Sequence, residues 1–545
     1  MITIAKLRLP KNTLYGAQVI PNDKRYGLPL NETTVANYLK RLGYQTHAVG
    51  KWHLGVYRWE HTPTFRGFDS FLGYYGGGED YYSHNIGHAV HDFRYDAHSE
   101  CGAGCSVPLY VNQSNSLFSY PRFIAASNHK GLYLEDNRTS PSTIFPVKSC
   151  QQCGRNLCSP SMRSVVTPSY LASLSMAPVA FNCSMLQELQ PLSDGYSTHL
   201  YAARAKEIIR AHDPASPLFL YMPFQAVHSP IQAPQRYVEP YEGLDPNRRV
   251  FGGMLAALDE AVGEVVAALK ARGMWDNTLT VFSTDNGGPV GSLHNHPTGI
   301  GAATGSQNWP LRGGKGSYYQ GGVRGTGWVH GKMLHPSLQG TTNFELAHVT
   351  DWLPTLVAAA GGEQDAWVWD LPLDGVNQWP MLTQGTSSAR TEVLINIERD
   401  HPTTAPPAPG QTGCNGVGQY AVIAGRYKLL LGGGGEPNTW YHDGLPYNGS
   451  EPTPQGGCLR ACSPYSPDGC PAVPMVQVFD VIADEAERVD LAPSNSSLVA
   501  ELMAVVQRFN QSHYVDALFY NSPPANGCPQ LLPGQPLTPC DLDSL

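Results

Sequence analysis

Hydrophobic and polar positions along this chain switch between a helical period and short extended runs. In residues 33–42 (TTVANYLKRL), Val35, Leu39 and Leu42 fall near one face of a helix, and Gly43 supplies the stop. Tyr44–Val49 then predicts a strand, with a loop beginning at Gly50. Residues 199–212 predict a second helix, ended by Asp213-Pro214, and Leu218–Met222 a short buried strand. A longer helix is expected over about 247–272, stopping near Gly273. Thr278–Ser283 is an apolar strand whose turn begins at Asp285-Asn286-Gly287-Gly288. Alternation of this kind predicts an α/β sheet flanked by helices. Ligands collect beyond the carboxyl ends of the strands in such sheets. Three polar clusters fall at those ends: Lys51/His53, His228 and Asp285/Asn286.

The pattern breaks at 98–195, a stretch rich in Cys, Ser, Pro and Asn with little periodicity, which reads as a disulfide-tied insertion. From about 386 a different order begins: strands at Glu392–Ile397, Tyr427–Leu431 and near Val476–Phe479, and a late helix around 497–510. A Cys/Pro/Gly-rich loop (432–475) lies among them. The expected organisation is an α/β domain over 1–385 and a smaller α+β domain over 386–545, without internal repeats.

Composition narrows the class. A net charge of -9 and a pI near 6.1 argue against a nucleic-acid partner held by a broad basic face, so any anion must meet cations gathered in one pocket. The 12 cysteines sit mostly in tight groups, and Cys150-x-x-Cys153 has no second pair at zinc-finger spacing, which favours disulfides over metal. Sequons at Asn31, Asn112, Asn137, Asn182, Asn448, Asn495 and Asn510 point the same way, to a glycoprotein of the secretory route, extracellular or lysosomal. Residues 1–20 lack the apolar run of a signal peptide, and no stretch of about 18 apolar residues spans a membrane. The natural N-terminus is therefore expected upstream of Met1.

Taken singly, the polar clusters also fit structural roles. Lys51 and His53 read equally as a surface lysine beside a core histidine, though two residues apart in an extended loop they could face one pocket. His228, after LFLYMP and before Ser229-Pro230, fits a structural histidine. Asp285-Asn286 offers a carboxylate and an amide carbonyl to a hard cation such as Ca²⁺, or forms an Asx-turn. Lys315 lies among glycines that permit close backbone approach to a ligand, or it is solvated. Taken together, the two lysines, two histidines and Asp-Asn pair describe a cationic, metal-assisted pocket for a tetrahedral oxyanion, hence hydrolysis or transfer of sulfate or phosphate.

Longer segments make the resemblance specific. Residues 50–84 (GKWHLGVYRWEHTPTFRGFDSFLGYYGGGEDYYSH) resemble the second signature region of sulfatases in its arylsulfatase B-like form. So do 217–241, TVFSTDNGG (280–288), NWPLRGGKGSYYQGGVRGTGWV (308–329), 348–362 and 371–382, and VFDVIADEAERVDLA (478–492) is similar to the C-terminal domain. The resemblance implies the alkaline-phosphatase-like fold, with a central mixed sheet flanked by helices. It implies cleavage of sulfated carbohydrates or aryl sulfate esters. Lys51 and Lys315 would bind sulfate, His53 would orient the nucleophile, His228 would protonate the leaving oxygen, and Asp285 and Asn286 would ligate Ca²⁺.

The family's nucleophile is formylglycine, made from the Cys of a Cys-x-Pro-Ser-Arg motif upstream of the matching lysine. No cysteine precedes Gly50 here, and the family's two early metal-binding aspartates have no match. The chain as written is expected to lack the segment that carries them, and with it turnover. Cys158-Ser-Pro-Ser-Met-Arg163 approximates the motif with Arg one residue too far, inside the insertion, and fits a disulfide better. Two other classes stay open: a non-catalytic protein binding sulfated glycans, and a metal-dependent phosphodiesterase of the same fold.

Overall fold

The computed structural model describes residues 20, 27–56, 58–86, 90–99, 102–108, 122–125, 132–135, 195–290, 305–362, 373–398, 419–431, 434, 440 and 476–512. They fall into two compact units, one within 20–234 and 254–275, the other within 235–253 and 276–522.

The first unit is organised by a five-stranded mixed sheet in the order Gly102–Pro108, Phe93–Ser99, Ser70–Tyr74, Gln45–Lys51, Leu218–Tyr221. Gln45–Lys51 runs parallel to both neighbours, and Phe93–Ser99 and Gly102–Pro108 add antiparallel. The helix Ser197–Ala211 lays Leu200, Tyr201 and Ile208 on Val49, Leu72 and Tyr74 of the sheet. The expected helix at 33–42 spans Val35–Arg41, its first turn capped by Thr34, whose hydroxyl accepts from Asn37 N at 3.2 Å.

The strand expected to stop at Val49 continues through Lys51. Gly50 pairs with Gly73 across the parallel ladder. A Cβ at Gly73 would lie 1.8 Å from Gly50 O, and one at Gly50 2.1 Å from Pro223 O. Only glycine lets the three backbones approach this closely, and Lys51 N then donates to Pro223 O at 2.8 Å. A glycine read as the start of a loop is thus a close-packing position inside a strand.

In the second unit Thr280–Ser283 pairs antiparallel with Gly327–His330, with Phe282 and Trp328 stacked at 5.4 Å. After residue 386 comes the expected α+β arrangement. Four antiparallel strands, Glu392–Glu398, Gln419–Ala424, Tyr427–Leu431 and Val476–Asp480, lie in sequence order. The helix Ser496–Ser512 packs Leu498, Leu502, Val505 and Val506 on Leu394, Val422, Leu429 and Val478. Burial of four such aliphatic side chains is worth on the order of 1.5–3 kcal/mol each. Asn495 starts that helix by accepting from Leu498 N at 3.1 Å.

The long helix expected over 247–272 spans Pro246–Ala271. Within 98–195 the chain is less irregular than its composition suggests: Arg122–Ala125 and Leu132–Glu135 form a hairpin. The disulfide reading lies outside the described residues, since no cysteine side chain is among them. Among the described residues no helix is long and apolar enough to cross a membrane.

Candidate active site

Lys51, His53 and His228 all belong to the first unit. Lys51 is the last residue of its strand and is half-buried. His53 is buried and adopts a left-handed backbone (φ 54), so the loop expected to be extended here is not extended at His53. Trp52 N donates to Tyr74 O at 2.9 Å and His53 N to Tyr75 O at 3.0 Å, which hold this turn against the adjacent strand end. Strain of this kind at a polar strand end is a feature of functional sites.

The two imidazoles rest on consecutive glycines. A Cβ at Gly77 would meet His53 Cε1 at 2.8 Å, and one at Gly78 would meet His228 Cε1 at 3.1 Å. Sequence separation gave no hint that residues 53 and 228 share one platform. His228 lies seven residues beyond its strand, on a loop tied to that platform. Tyr81 hydroxyl donates to His228 O at 2.9 Å, Gln225 Nε2 donates to Glu79 O, and Gln232 accepts from Tyr81 N at 2.9 Å. His228 Nδ1 is 2.7 Å from Ser229 O, which can only accept, so Nδ1 carries the proton. Proton exchange at this ring must then run through Nε2.

Beneath the platform Glu79 and His84 are fully buried, 3.3 Å apart, with Tyr201 hydroxyl donating to Glu79 at 3.1 Å. Burial raises the Glu79 carboxyl well above the ordinary carboxylate range and lowers His84 to about 4. Both effects favour a neutral pair, a protonated acid beside an uncharged imidazole.

Asp285, Asn286 and Lys315 belong to the second unit, on two interlocked loops. A Cβ at Gly287 would lie 1.6 Å from Gly321 O, a contact no other residue could make. Gly287 N donates to Gly322 O at 3.0 Å, and Lys315 N to Gly288 O at 3.1 Å. Asn308, whose role the sequence did not disclose, binds both loops at once. Its Oδ1 accepts from Gly288 N at 2.9 Å, and its Nδ2 reaches Gly288 O at 2.9 Å and Gly313 O at 3.0 Å. Only its position in the NWP segment could have marked it. Lys315 is half-buried at the end of this lattice.

Asn286 Nδ2 donates to Gly287 O at 2.9 Å, so its Oδ1 is not part of that bond, and Asp285, the preceding residue, is exposed. Two hard oxygen donors of this kind suit Ca²⁺ in type. They fall short in number, because Ca²⁺ takes six to eight oxygens and no group of three or more His, Cys, Asp or Glu suited to a metal occurs among the described residues. Behind the loops, Gln320 N donates at 2.6 Å to Glu487, a buried carboxylate paired with buried Lys428 at 2.8 Å. Arg312 is buried with its guanidinium 4.1 Å from the centroid of the Tyr319 ring. Sequence reading missed both supports.

The chain is 32% identical over 502 residues to arylsulfatase J of Mus musculus, covering 89% of this chain and 63% of that protein. It is 27% identical over 436 residues to arylsulfatase A of Homo sapiens, covering 77% and 62%. The chain thus spans under two thirds of the length of these relatives. Among solved structures, Ps i-CgsB in complex with k-i-k-neocarrahexaose matches with a TM-score of 0.52 at 20% identity, over 92% of this chain and 80% of that one, a likeness of fold. The fold is the alkaline-phosphatase-like α/β fold of the sulfatases. The sulfatase family model matches residues 8–362, more than half of the 545, and the chain belongs to the sulfatase family.

Proposed function

We propose that this chain carries the anion-binding and proton-transfer groups of a sulfuric ester hydrolase of the arylsulfatase B-like kind, acting on sulfated sugars or aryl sulfates. The observation that carries the reading is the interlocked loop pair. With Gly287 seated on Gly321 and Lys315 N on Gly288 O, an ammonium-bearing loop is fixed to an Asp-Asn pair of hard oxygen donors. The relatives' names support aryl sulfate esters as one substrate class.

In this reading Lys51 and Lys315 bind sulfate oxygens and offset the charge that builds in the transition state. His53, held in its left-handed turn, orients the attacking group. His228 gives a proton from Nε2 to the leaving oxygen as its bond to sulfur breaks, while Ser229 O keeps Nδ1 protonated. Asp285 and Asn286 offer oxygens to Ca²⁺, which when bound polarises the sulfate. The family's formylglycine derives from a cysteine ahead of the matching lysine, and the first cysteine of these 545 residues is Cys101. A second reading is a protein that binds sulfated glycans without turning them over. The catalytic part would extend to about residue 385, with the α+β part beyond, in a protein of the secretory route.

Calorimetric titration with N-acetylgalactosamine 4-sulfate and 4-nitrophenyl sulfate, paired with release of 4-nitrophenol, separates these readings. Turnover lost in Lys315→Ala supports the hydrolase. Binding without turnover, lost in the same variant, supports the second reading, and absence of both refutes the pocket.

A further inference from the structure

Of the sequon asparagines, Asn31 and Asn495 have described side chains, and the structure puts them to different use. Asn495 caps a helix: its Oδ1 accepts from Leu498 N at 3.1 Å and from the Ser497 hydroxyl at 2.9 Å. That hydroxyl belongs to the third residue of its own sequon, so both polar groups of the motif have a duty in the fold. Asn31 sits instead in the middle of a β-turn, Pro29-Leu30-Asn31-Glu32, closed by Glu32 N donating to Pro29 O at 3.0 Å. Asn31 is exposed, and its carboxamide has no hydrogen-bond partner among the described residues.

The turn is fixed without help from that side chain. Arg66 is buried and holds the turn by its carbonyls, donating from Nη2 to Pro29 O at 3.1 Å and Glu32 O at 2.7 Å, and from Nη1 to Leu30 O at 3.5 Å. Ahead of the turn, buried Leu28 donates from N to Leu54 O at 2.8 Å, and its own carbonyl accepts from His61 Nδ1 at 3.0 Å. Behind it, the buried Thr34 hydroxyl donates to Arg66 O at 2.6 Å. Between these anchors the chain is half-buried at Pro29, Glu32 and Thr33 and exposed at Leu30 and Asn31. A bulky hydrophilic group on Asn31 Nδ2 therefore breaks no hydrogen bond of that carboxamide with the described residues, and it starts at a solvent-facing position.

We propose that Asn31 is a modification site that carries an N-linked glycan on the turn braced by Arg66. The transfer forms a bond from Asn31 Nδ2 to the anomeric carbon of an oligosaccharide carried on a polyprenyl diphosphate. The bond from that carbon to the diphosphate oxygen breaks, the polyprenyl diphosphate leaves with the electron pair, and one Nδ2 proton passes to a base of the transferase. Thr33 supplies the hydroxyl residue that the acceptor motif requires. The proposal rests on the secretory route proposed above, where such a transferase acts.

The test is peptide mass spectrometry on the protein recovered from the cells that make it. Peptide-N-glycosidase treatment in heavy-oxygen water converts each glycosylated asparagine to a labelled aspartate. Position 31 should carry the label in most molecules. Expressed in the same cells, Asn31→Gln should be smaller than the wild-type protein by one glycan and still be recovered folded, because the turn is held by backbone groups. Thr33→Ser, which preserves the acceptor motif, should keep the wild-type size. Asn31 without label while another sequon is labelled, or Asn31→Gln of unchanged size, overturns the site and leaves the secretory route standing. Absence of label at every sequon overturns both.

Discussion

The buried ion pair behind the Lys315 loop offers the sharpest energetic test. Lys428 and Glu487 are both 0% exposed, 2.8 Å apart, and Glu487 also accepts from Gln320 N at 2.6 Å while its own backbone is left-handed at φ 55. Burial lowers the Lys428 pKa, and the adjacent Glu487 carboxylate opposes that shift. Lys428→Met leaves a carboxylate inside the protein with its counter-ion gone, which should cost about 3–5 kcal/mol. Adding Glu487→Gln removes the stranded charge but keeps an oxygen for Gln320 N. The double variant should therefore recover at least about 2 kcal/mol of that loss, although it departs further from the natural sequence. Denaturant unfolding followed by tryptophan fluorescence measures both. Sulfate-ester affinity should follow the same order, weak in the single variant and restored in the double, because the pair acts through Gln320 on the loop bearing Lys315. A cost for Lys428→Met below about 1 kcal/mol, or a double variant no better than the single, would refute the account of this pair as a coupled support.

Three further outcomes are expected. Under the hydrolase reading, and in a form of the protein that turns over aryl sulfates, Tyr81→Phe removes the hydroxyl that donates to His228 O and should lower kcat about fivefold with KM little changed, the loss of roughly one hydrogen bond. A uniform drop in folded protein, with kcat per folded molecule intact, would reduce Tyr81 to a packing residue. Gly287→Ala, whose Cβ would lie 1.6 Å from Gly321 O, should destabilise by about 1–3 kcal/mol, measured by denaturant unfolding. Stability should fall as pH drops from about 6.5 towards 4. Burial lowers His61 and His348 to about 4, so below the ordinary histidine range the unfolded chain binds protons that the folded chain refuses. His348 Nδ1 also accepts from Thr350 N at 3.4 Å, a cap that protonation would break. Unfolding midpoints unchanged between pH 7 and pH 4.5 would contradict this.

Much of the strand-and-helix order was legible because it rests on local rules. The Leu39/Leu42 stripe, the Asp213-Pro214 stop and the apolar runs at 218 and 280 each announce an element within a few residues of where it lies. Ser70–Tyr74 was missed as a strand, since FLGYYGGG carries its glycines for packing against Gly50 and for seating His53 and His228, contacts made across the sheet and across long loops. Glycine is ambiguous in a single sequence: the same residue marks a turn or a place where two backbones touch, and only the partner strand distinguishes them.

The candidate site divides along the same line. Lys51, His53, His228, Asp285, Asn286 and Lys315 are proposed from the chain itself because they are charged or polar residues on loops or at strand ends, where ligands collect in such sheets. Residues that hold them are ordinary in type. Asn308, Tyr81, Gln225 and Glu487 act through backbone carbonyls and amides between 5 and 167 positions away, Asn308 on Gly313 O and Gly288 N, Tyr81 on His228 O, Gln225 on Glu79 O, Glu487 on Gln320 N. Backbone groups have no sequence signature, so a side chain aimed at one leaves none either. Yet these contacts decide whether a loop as glycine-rich as 313–322 presents Lys315 in one place or many, because each glycine adds conformational freedom that only fixed partners can remove. The Lys428–Glu487 pair braces the loop bearing Lys315 through Gln320 N, and perturbing the pair probes that support without altering Lys315 itself.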